Sequence, residues 1–316
     1  MTKNKVVCIG LTVTDILVRP VDQVIQNREI NFVEEIACAV GGDAYNEAHA
    51  LTRLGVPVKL MSSVGNDTWG DFIIKKGAEA GIDMEHVTRN YNYPTSVTIV
   101  LIQGSGERSF IGIGGGSARH FQMESLDIPS IERAGIVSLA SLYSNAESDS
   151  AFLVAAKAAK NSGVTVTADT ILNMKDCSLE SHAEIFPLLD FIFPNYDEAC
   201  GITGEKSLDR IAGAFLKTGI RNVVIKTGKN GCYIQNADLK LNVPTYKNAK
   251  RVDTTGAGDN FVAGFIYGLT KDLPVRECAA YANAAASVSI QYIGAGGVKN
   301  LQEVEDMMAG EILEIS

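Results

Sequence analysis

The run Asp253–Phe261 reads DTTGAGDNF and stands directly before a helix-patterned apolar stretch, FVAGFIYGL. Its glycines permit close backbone approach and unusual dihedrals. A helix starting near Gly256–Gly258 points free N–H groups out of its N-terminus, where its dipole favours negative charge. A phosphate fits such a place. Asp259 then falls in the first turn beside it, where a carboxylate can accept the proton of a hydroxyl that attacks phosphorus. The alternative is a capped helix in which Thr254 or Thr255 and Asp259 only satisfy free amides. The chain carries no G-x-x-x-x-G-K-[ST] and no G-x-G-x-x-G after its first strand, which excludes a P-loop and argues against a dinucleotide fold of that type.

The elements that must position this run follow from a repeated pattern. NEAHALTRLGVPVKLMSSVG, LVAAKAAKNSGVTVTADT and IAGAFLKTGIRNVVIKTG each end a helical segment on glycine and continue as a β-rich run. Gly55, Gly163 and Gly219 fit the left-handed position that closes a helix. Short apolar strands after each closure predict a parallel sheet covered by helices on both faces. VVCIGL, AGIVSLA and FIFPN supply further strands. Two regions depart from the pattern. Residues 11–37 alternate β-formers with polar residues and lack a helix, and residues 95–113 read as a hairpin about the turn GSGE. They make either a small separate sheet, of use as a lid, or an edge extension of the main one.

The bulk numbers agree with an α/β protein that binds small molecules. The chain has 316 residues, 46% of them hydrophobic, enough for one large α/β domain or two smaller ones. A net charge of −9 with no long basic run argues against nucleic acid as a partner. The six cysteines form no C-x-x-C pair and lie mostly in apolar runs, as reduced, buried residues do. No stretch has membrane-spanning length, and the N-terminal apolar run is too short for a signal peptide. The expected location is the cytoplasm, with no membrane partner.

DTTGAGDNF resembles the C-terminal signature of the ribokinase-like (PfkB family) carbohydrate kinases, and GGDAYNEAHALTRLG at 41–55 resembles their N-terminal one. IGLTVTDI, VGNDTWGDF, GERSF, FPNYDEA and VVIKTGKNG match smaller family segments in the same order, so the resemblance spans essentially the whole chain. It implies a three-layer αβα sandwich with a mostly parallel central sheet and a small β lid, in one kinase domain over 1–316. It implies transfer of the ATP γ-phosphoryl group to a hydroxyl, usually a sugar CH2OH, with Mg2+. Asp259 matches the catalytic base, and the N–H groups of Gly256, Ala257 and Gly258 the anion hole. Asn195 and Glu198 match positions that organise Mg2+ through water; on their own they also read as a turn and helix cap. Lys226 and Gly228 fall where the family meets nucleotide phosphate and ribose. Asn283 falls near the adenine, or is an ordinary polar residue on a packed helix. Asp253 and Thr255, with the backbone of YIGAGG, match a site for a monovalent cation such as K+. Asp15, Gly42, Asp43 and Asn46 match the hydroxyl-binding positions of the acceptor site, suited to a polyhydroxylated substrate. The lid segments of the family also pair between chains, which makes a homodimer an option.

Four departures bear on the substrate. Asp43 stands where ribokinases proper carry lysine, FIGIGGGSARHF is unusually glycine-rich, SLASLYSN offers Ser and Tyr in place of Glu, and Asn260 follows the base where Ser, Thr or Ala is commoner. A phosphosugar needs clustered Arg or Lys, for which only Arg28, Arg108 and Arg119 are near. A nucleoside acceptor stays open, with Tyr45 and Tyr143 as base-pocket residues or as packing. So do a vitamin kinase of the same fold class, which the Gly41–Gly42 pair argues against, and a non-catalytic binding protein on the kinase fold.

Overall fold

The structure is a computed structural model and describes residues 5–21, 31–104, 108–113, 115–171, 177–292, 294 and 297–312. The chain opens with β1 (Val6–Ile9), β2 (Val13–Arg19) and β3 (Glu35–Gly41), then α1 (Asp43–Arg53), β4 (Val58–Gly65), α2 (Thr68–Glu79) and β5 (Asp83–Asn90). The hairpin β6 (Val97–Ile102) and β7 (Arg108–Gly112) follows, then α3 (Ile128–Arg133), β8 (Ile136–Leu142), α4 (Ala146–Asn161), β9 (Thr165–Thr170) and β10 (Phe191–Ile192). The last third holds α5 (Tyr196–Thr203), α6 (Leu208–Lys217), β11 (Asn222–Lys226), β12 (Cys232–Gln235), β13 (Lys240–Val243), α7 (Ala257–Thr270), α8 (Val275–Ser289) and α9 (Leu301–Met308).

The main sheet runs β13-β12-β11-β10-β9-β8-β1-β4-β5. From β11 to β5 all pairs are parallel, and β12 and β13 close one edge as antiparallel strands. Because side chains alternate across a strand, β1 feeds two cores. Val6 and Cys8 pack with residues of α1, α7 and α8, whereas Val7 and Ile9 pack with those of α4 and α6. Such a strand reads as an unbroken apolar run, which is why VVCI shows no alternation in the sequence. The helix-closing glycines lie where expected: φ is 80° at Gly55, 72° at Gly163 and 99° at Gly219.

The two irregular regions form a sheet of their own, ordered β3-β2-β6-β7, so they are not an extension of the main sheet. β3 runs on to Gly41, past the expected limit at residue 37, because the strand has to deliver Gly41 and Gly42 to the start of α1. Residues 22–30 and the hairpin turn at 105–107 lie outside the described residues. Asp67 ties this sheet to the main body. It caps α2 through Gly70 N–H (2.9 Å) and accepts from both Thr95 N–H (2.8 Å) and Thr95 Oγ1 (2.6 Å), just ahead of β6.

Candidate active site

The carboxyl ends of β1, β8, β9, β10 and β11 converge with the N-termini of α1 and α7, the place where open α/β sheets bind ligands. Gly256 stands at the N-cap of α7 in the left-handed conformation (φ 68°), with no side chain to cap the helix. The capping alternative does not describe Thr255 or Asp259. Asp253 Oδ1 accepts from Thr255 N–H (2.8 Å) and Oγ1 (2.7 Å), and its Oδ2 accepts from Gly294 N–H (2.8 Å), so this pair joins two loops. Asp259 Oδ2 instead accepts from Asn46 Nδ2 of α1 at 2.6 Å. Of the amides expected to form the anion hole, that of Ala257 bends back to Thr254 O at 3.3 Å. Gly258 leaves room for a cation: a Cβ there would lie 3.2 Å from Lys226 Nζ, a tight contact. The ammonium of Lys226 therefore sits beside the first turn of α7.

Around it the chain gathers carboxylates. Lys226 Nζ donates to both oxygens of Asp169 at 2.7 Å. Burial would lower the Lys226 pKa, but Asp169 and Glu198 outweigh it and raise it. Burial raises Asp259; the Asn46 bond and Lys226 pull it back without cancelling the rise. Burial and then the charges of Asp259 and Asp169 push Asp43 up. Asp169 rises to about 6, chiefly through burial, with Lys226 opposing. Glu47 lies fully inside, its Oε2 accepting from Ser138 Oγ (2.6 Å) and its Oε1 without a partner, and burial raises its pKa strongly. Perturbed carboxylates gathered in one cleft mark a functional site. Neither Asp169 nor Glu47 was among the residues picked from the sequence. Asp169 ends a parallel strand, in TADT, and that placement was the available signal.

On the acceptor side, the carboxylate of Asp15 lies over Gly41: a Cβ on Gly41 would be 2.9 Å from Asp15 Cγ and closer still to Oδ2. Burial lifts Asp15 to about 6. Gly42 has φ 92° and its Cβ would fall 2.8 Å from Thr12 Cα, so only glycine fits between the Leu11–Thr12 backbone and α1. Asp43 is set by Ser141 Oγ at 3.4 Å, a hydroxyl that itself accepts from Leu11 N–H (3.1 Å). The structure thus puts Asn46 and Asp43 beside Asp259, with Gly42 next to Asp43 and Asp15 over Gly41. Tyr45 and Tyr143 are buried: Tyr45 stacks on His49, and Tyr143 donates to Ser178 O at 2.8 Å. The packing alternative holds for both. Arg28 lies outside the described residues, and Arg119 is half-buried on a short 3-10 turn.

On the nucleotide side, Asn195 and Glu198 form a reciprocal capping box at α5: Glu198 N–H donates to Asn195 Oδ1 (2.9 Å) and Asn195 N–H to Glu198 Oε2 (2.8 Å). Thr170 Oγ1 adds a third bond to Glu198 Oε2 (2.9 Å). Direct ligation of a metal by Asn195 would break this box, whereas contact through water leaves it intact. Among the described residues no three His, Cys, Asp or Glu side chains converge as a metal cage. Gly228, at φ 60°, opens the loop after β11. Asn283 takes the form of the packed polar residue, on the inward side of α8. It is 3% exposed and its Nδ2 donates to Val243 O (3.0 Å) and Pro244 O (3.1 Å), which pins β13 to α8. Around Asp253 and Thr255, Ile293, Ala295 and Gly296 lie outside the described residues.

Comparison with known proteins gives this geometry its family. The ribokinase of Staphylococcus aureus (strain COL) is 28% identical over 313 residues, which cover 96% of this chain and 99% of that protein. A ribokinase of Arabidopsis thaliana is 30% identical over 266 residues, 81% of this chain and 68% of that protein. The structure of Arabidopsis thaliana ribokinase complexed with ribose and ATP superposes with a TM-score of 0.82 at 25% identity, covering 98% of this chain and 100% of that one. The model of the "pfkB family carbohydrate kinase" matches residues 3–301. The chain belongs to the pfkB family of carbohydrate kinases.

Proposed function

We propose that the protein transfers the γ-phosphoryl group of ATP to a hydroxyl, a primary alcohol, of a sugar or sugar-like acceptor, with Asp259 as the base. The observation that carries this reading is the placement of Asp259. It is a buried carboxylate in the first turn of a glycine-capped helix, held by Asn46 on one side and next to the Lys226 ammonium on the other. Asp259 takes the acceptor proton as the acceptor oxygen bonds to phosphorus. The N–H groups of Gly256 and Gly258, with that of Ala257 once its turn opens, take the negative charge gathering on the phosphoryl oxygens. Lys226 adds its charge at the same helix end, and Gly228 lies along the nucleotide. Bound Mg2+ would neutralise phosphate charge, with Asn195 and Glu198 orienting its waters. A K+ ion beside Asp253 and Thr255 would act as an activator, which titration of K+ against turnover decides.

Asp15 and Asp43 accept hydrogen bonds from acceptor hydroxyls, and Asn46 offers its second N–H. Tyr45 and Tyr143 are buried in packing contacts and do not serve as base platforms, which favours a sugar over a nucleoside. Relatives named ribokinase and fructokinase point the same way. The sheet β3-β2-β6-β7 serves as the lid within one kinase domain. Its cross-strand row Ile16, Cys38, Ile99 and Ile111, with Val18, Ile36 and Leu101 beside it, forms one apolar face, on which Ile36 is 66% exposed. A second copy of the chain would cover that face as a homodimer. Among the described residues no disulfide joins the cysteines, and a reduced set suits the cytoplasm. Among the described residues no helix is long and apolar enough to cross a membrane.

The test is ATP consumption with Mg2+ against sugars, polyols, sugar phosphates and nucleosides, with a no-acceptor control. One strong sugar acceptor is expected, and Asp259→Asn should nearly abolish turnover while retaining ATP binding. Retained turnover in that variant removes Asp259 as the base. Silence across the panel, with ATP still bound, favours the non-catalytic reading.

A further inference from the structure

Lys226 ends β11 with its ammonium against the first turn of α7, one residue from the Asp259 carboxylate. Asp43, Glu47, Glu198 and Asp259 all lie within electrostatic reach of the Asp169–Lys226 pair or of one another. A single ammonium among so many acids has several partners to choose from. If it paired with Asp259, it would make the base a poorer proton acceptor and be lost to phosphate. Which acid holds Lys226 thus bears directly on the reaction.

The geometry points to Asp169 as a positioning residue that holds the Lys226 ammonium at the α7 N-terminus and away from Asp259, so that the cation meets phosphate while the base stays free. This rests on the kinase reading proposed above. The grip has two bonds of 2.7 Å between side chains that are 5% (Asp169) and 12% (Lys226) exposed. The carboxylate cannot swing freely, because its Oδ1 also accepts from Thr170 N–H at 2.8 Å. On the other side, Lys226 N–H donates to Pro194 O at 2.9 Å, which sets the start of the lysine side chain. The next residue along β9, Thr170, holds Glu198 Oε2 at 2.9 Å and so ties up a second competing carboxylate. Two consecutive residues at one strand end thereby sort the charges of the site: Asp169 takes the cation and Thr170 takes the competing acid.

An ion pair that served stability alone would share the burial and the distances. A double-mutant cycle with structures separates the two roles. Asp169→Asn keeps shape and one hydrogen bond but removes the charge. Its kcat should fall about 100-fold, the scale of a displaced positioning group, with the KM for MgATP within about threefold of wild type. In Lys226→Met the further change Asp169→Asn should cost nothing more, since no cation remains to misplace. Asp169→Glu should recover at least tenfold of the loss. A ligand-free crystal structure of Asp169→Asn should show Lys226 Nζ within hydrogen-bond distance of Asp259, a readout that needs no acceptor and stands apart from the kinase reading. That reading fails separately, if wild type transfers no phosphoryl group or Asp259→Asn keeps its turnover. Wild-type kcat in Asp169→Asn, losses that multiply in the double variant, or Lys226 unmoved in the crystal would each overturn the inference. Should Asp169→Asn fail to fold, Asp169→Glu and Lys226→Met carry the test. A wild-type rate in Lys226→Met would overturn it as well.

Discussion

Removing the Asn46 side chain tests the electrostatics of the proposed base through its pH dependence. Asn46 Nδ2 donates to Asp259 Oδ2 at 2.6 Å, between residues 213 positions apart in the chain. Hydrogen bonds to charged groups are worth about 1.5–3 kcal/mol, and about 1.4 kcal/mol is tenfold in rate. Asn46→Ala should therefore lower kcat/KM roughly 10- to 100-fold at neutral pH. The sign follows from which form the bond favours. Burial already raises the Asp259 pKa, and the Asn46 bond, which stabilises the carboxylate, pulls it down. Without that bond the pKa rises further and a smaller share of the enzyme carries an ionised base. Lys226 opposes the rise, whereas Glu198 adds to it. The assay is kcat/KM against pH over the whole range in which the protein stays folded, a profile that reports the essential base of the free enzyme. The deficit should shrink as pH rises and the variant's base ionises. Asn46 is also proposed to meet the acceptor, and loss of an acceptor contact alone would give the same deficit at every pH. A wild-type to variant ratio that stays flat across the range refutes the electrostatic argument.

Three further outcomes are expected. Gly41→Ala has no backbone strain to overcome but must push the Asp15 carboxylate aside, so the KM for the acceptor should rise at least about tenfold with the thermal midpoint little changed; an unchanged KM removes Asp15 from the acceptor site. Asp15→Asn should stabilise the ligand-free protein: the folded pKa, about 6, lies above the unfolded value, so the protonated form is favoured on folding, and that contribution is lost as pH climbs from about 4 through about 6. Denaturant unfolding at pH 7 should show a gain of about 1–3 kcal/mol that vanishes near pH 4; no gain at pH 7 counts against a strained acceptor carboxylate. Asn283→Ala should destabilise by about 1–3 kcal/mol, because Val243 O and Pro244 O lose a buried donor. Its KM for ATP should stay put, and a raised KM would return Asn283 to the nucleotide site.

What could be read from the chain alone was local. Gly256 and the first turn of α7 are legible because a glycine N-cap, a carboxylate and an apolar run are consecutive. Gly55, Gly163 and Gly219 announce helix ends because the left-handed position admits few other residues. The hairpin β6–β7 is legible from its alternation and turn. Its fate as a separate sheet is not, since pairing of β2 with β6 joins segments some 80 residues apart. Asn283 is open in the sequence because a polar residue in YANAAASV looks the same whether it faces a ligand or, as its Nδ2 does, two buried carbonyls.

The acids show the limit most clearly. Asp169 in TADT and Glu47 in YNEAH look like ordinary polar residues of a strand end and a helix. Asp169 takes on its role only when β9 and β11 bring it to Lys226, 57 positions on. Glu47 takes on its own when α1 packs on β8 and Ser138, 91 positions away, donates to it. A buried carboxylate is costly, so such a group is paired, as Asp169 is with Lys226, or pushed toward its neutral form, as Glu47 is strongly and Asp169 in part. That choice depends on distances the order of residues does not contain. Motif-bearing residues such as Asp259 and Gly258 carry their geometry with them in a short segment. The residues that tune them, Asn46, Asp169 and Ser141, act across the fold, and the chemistry of the site depends on both.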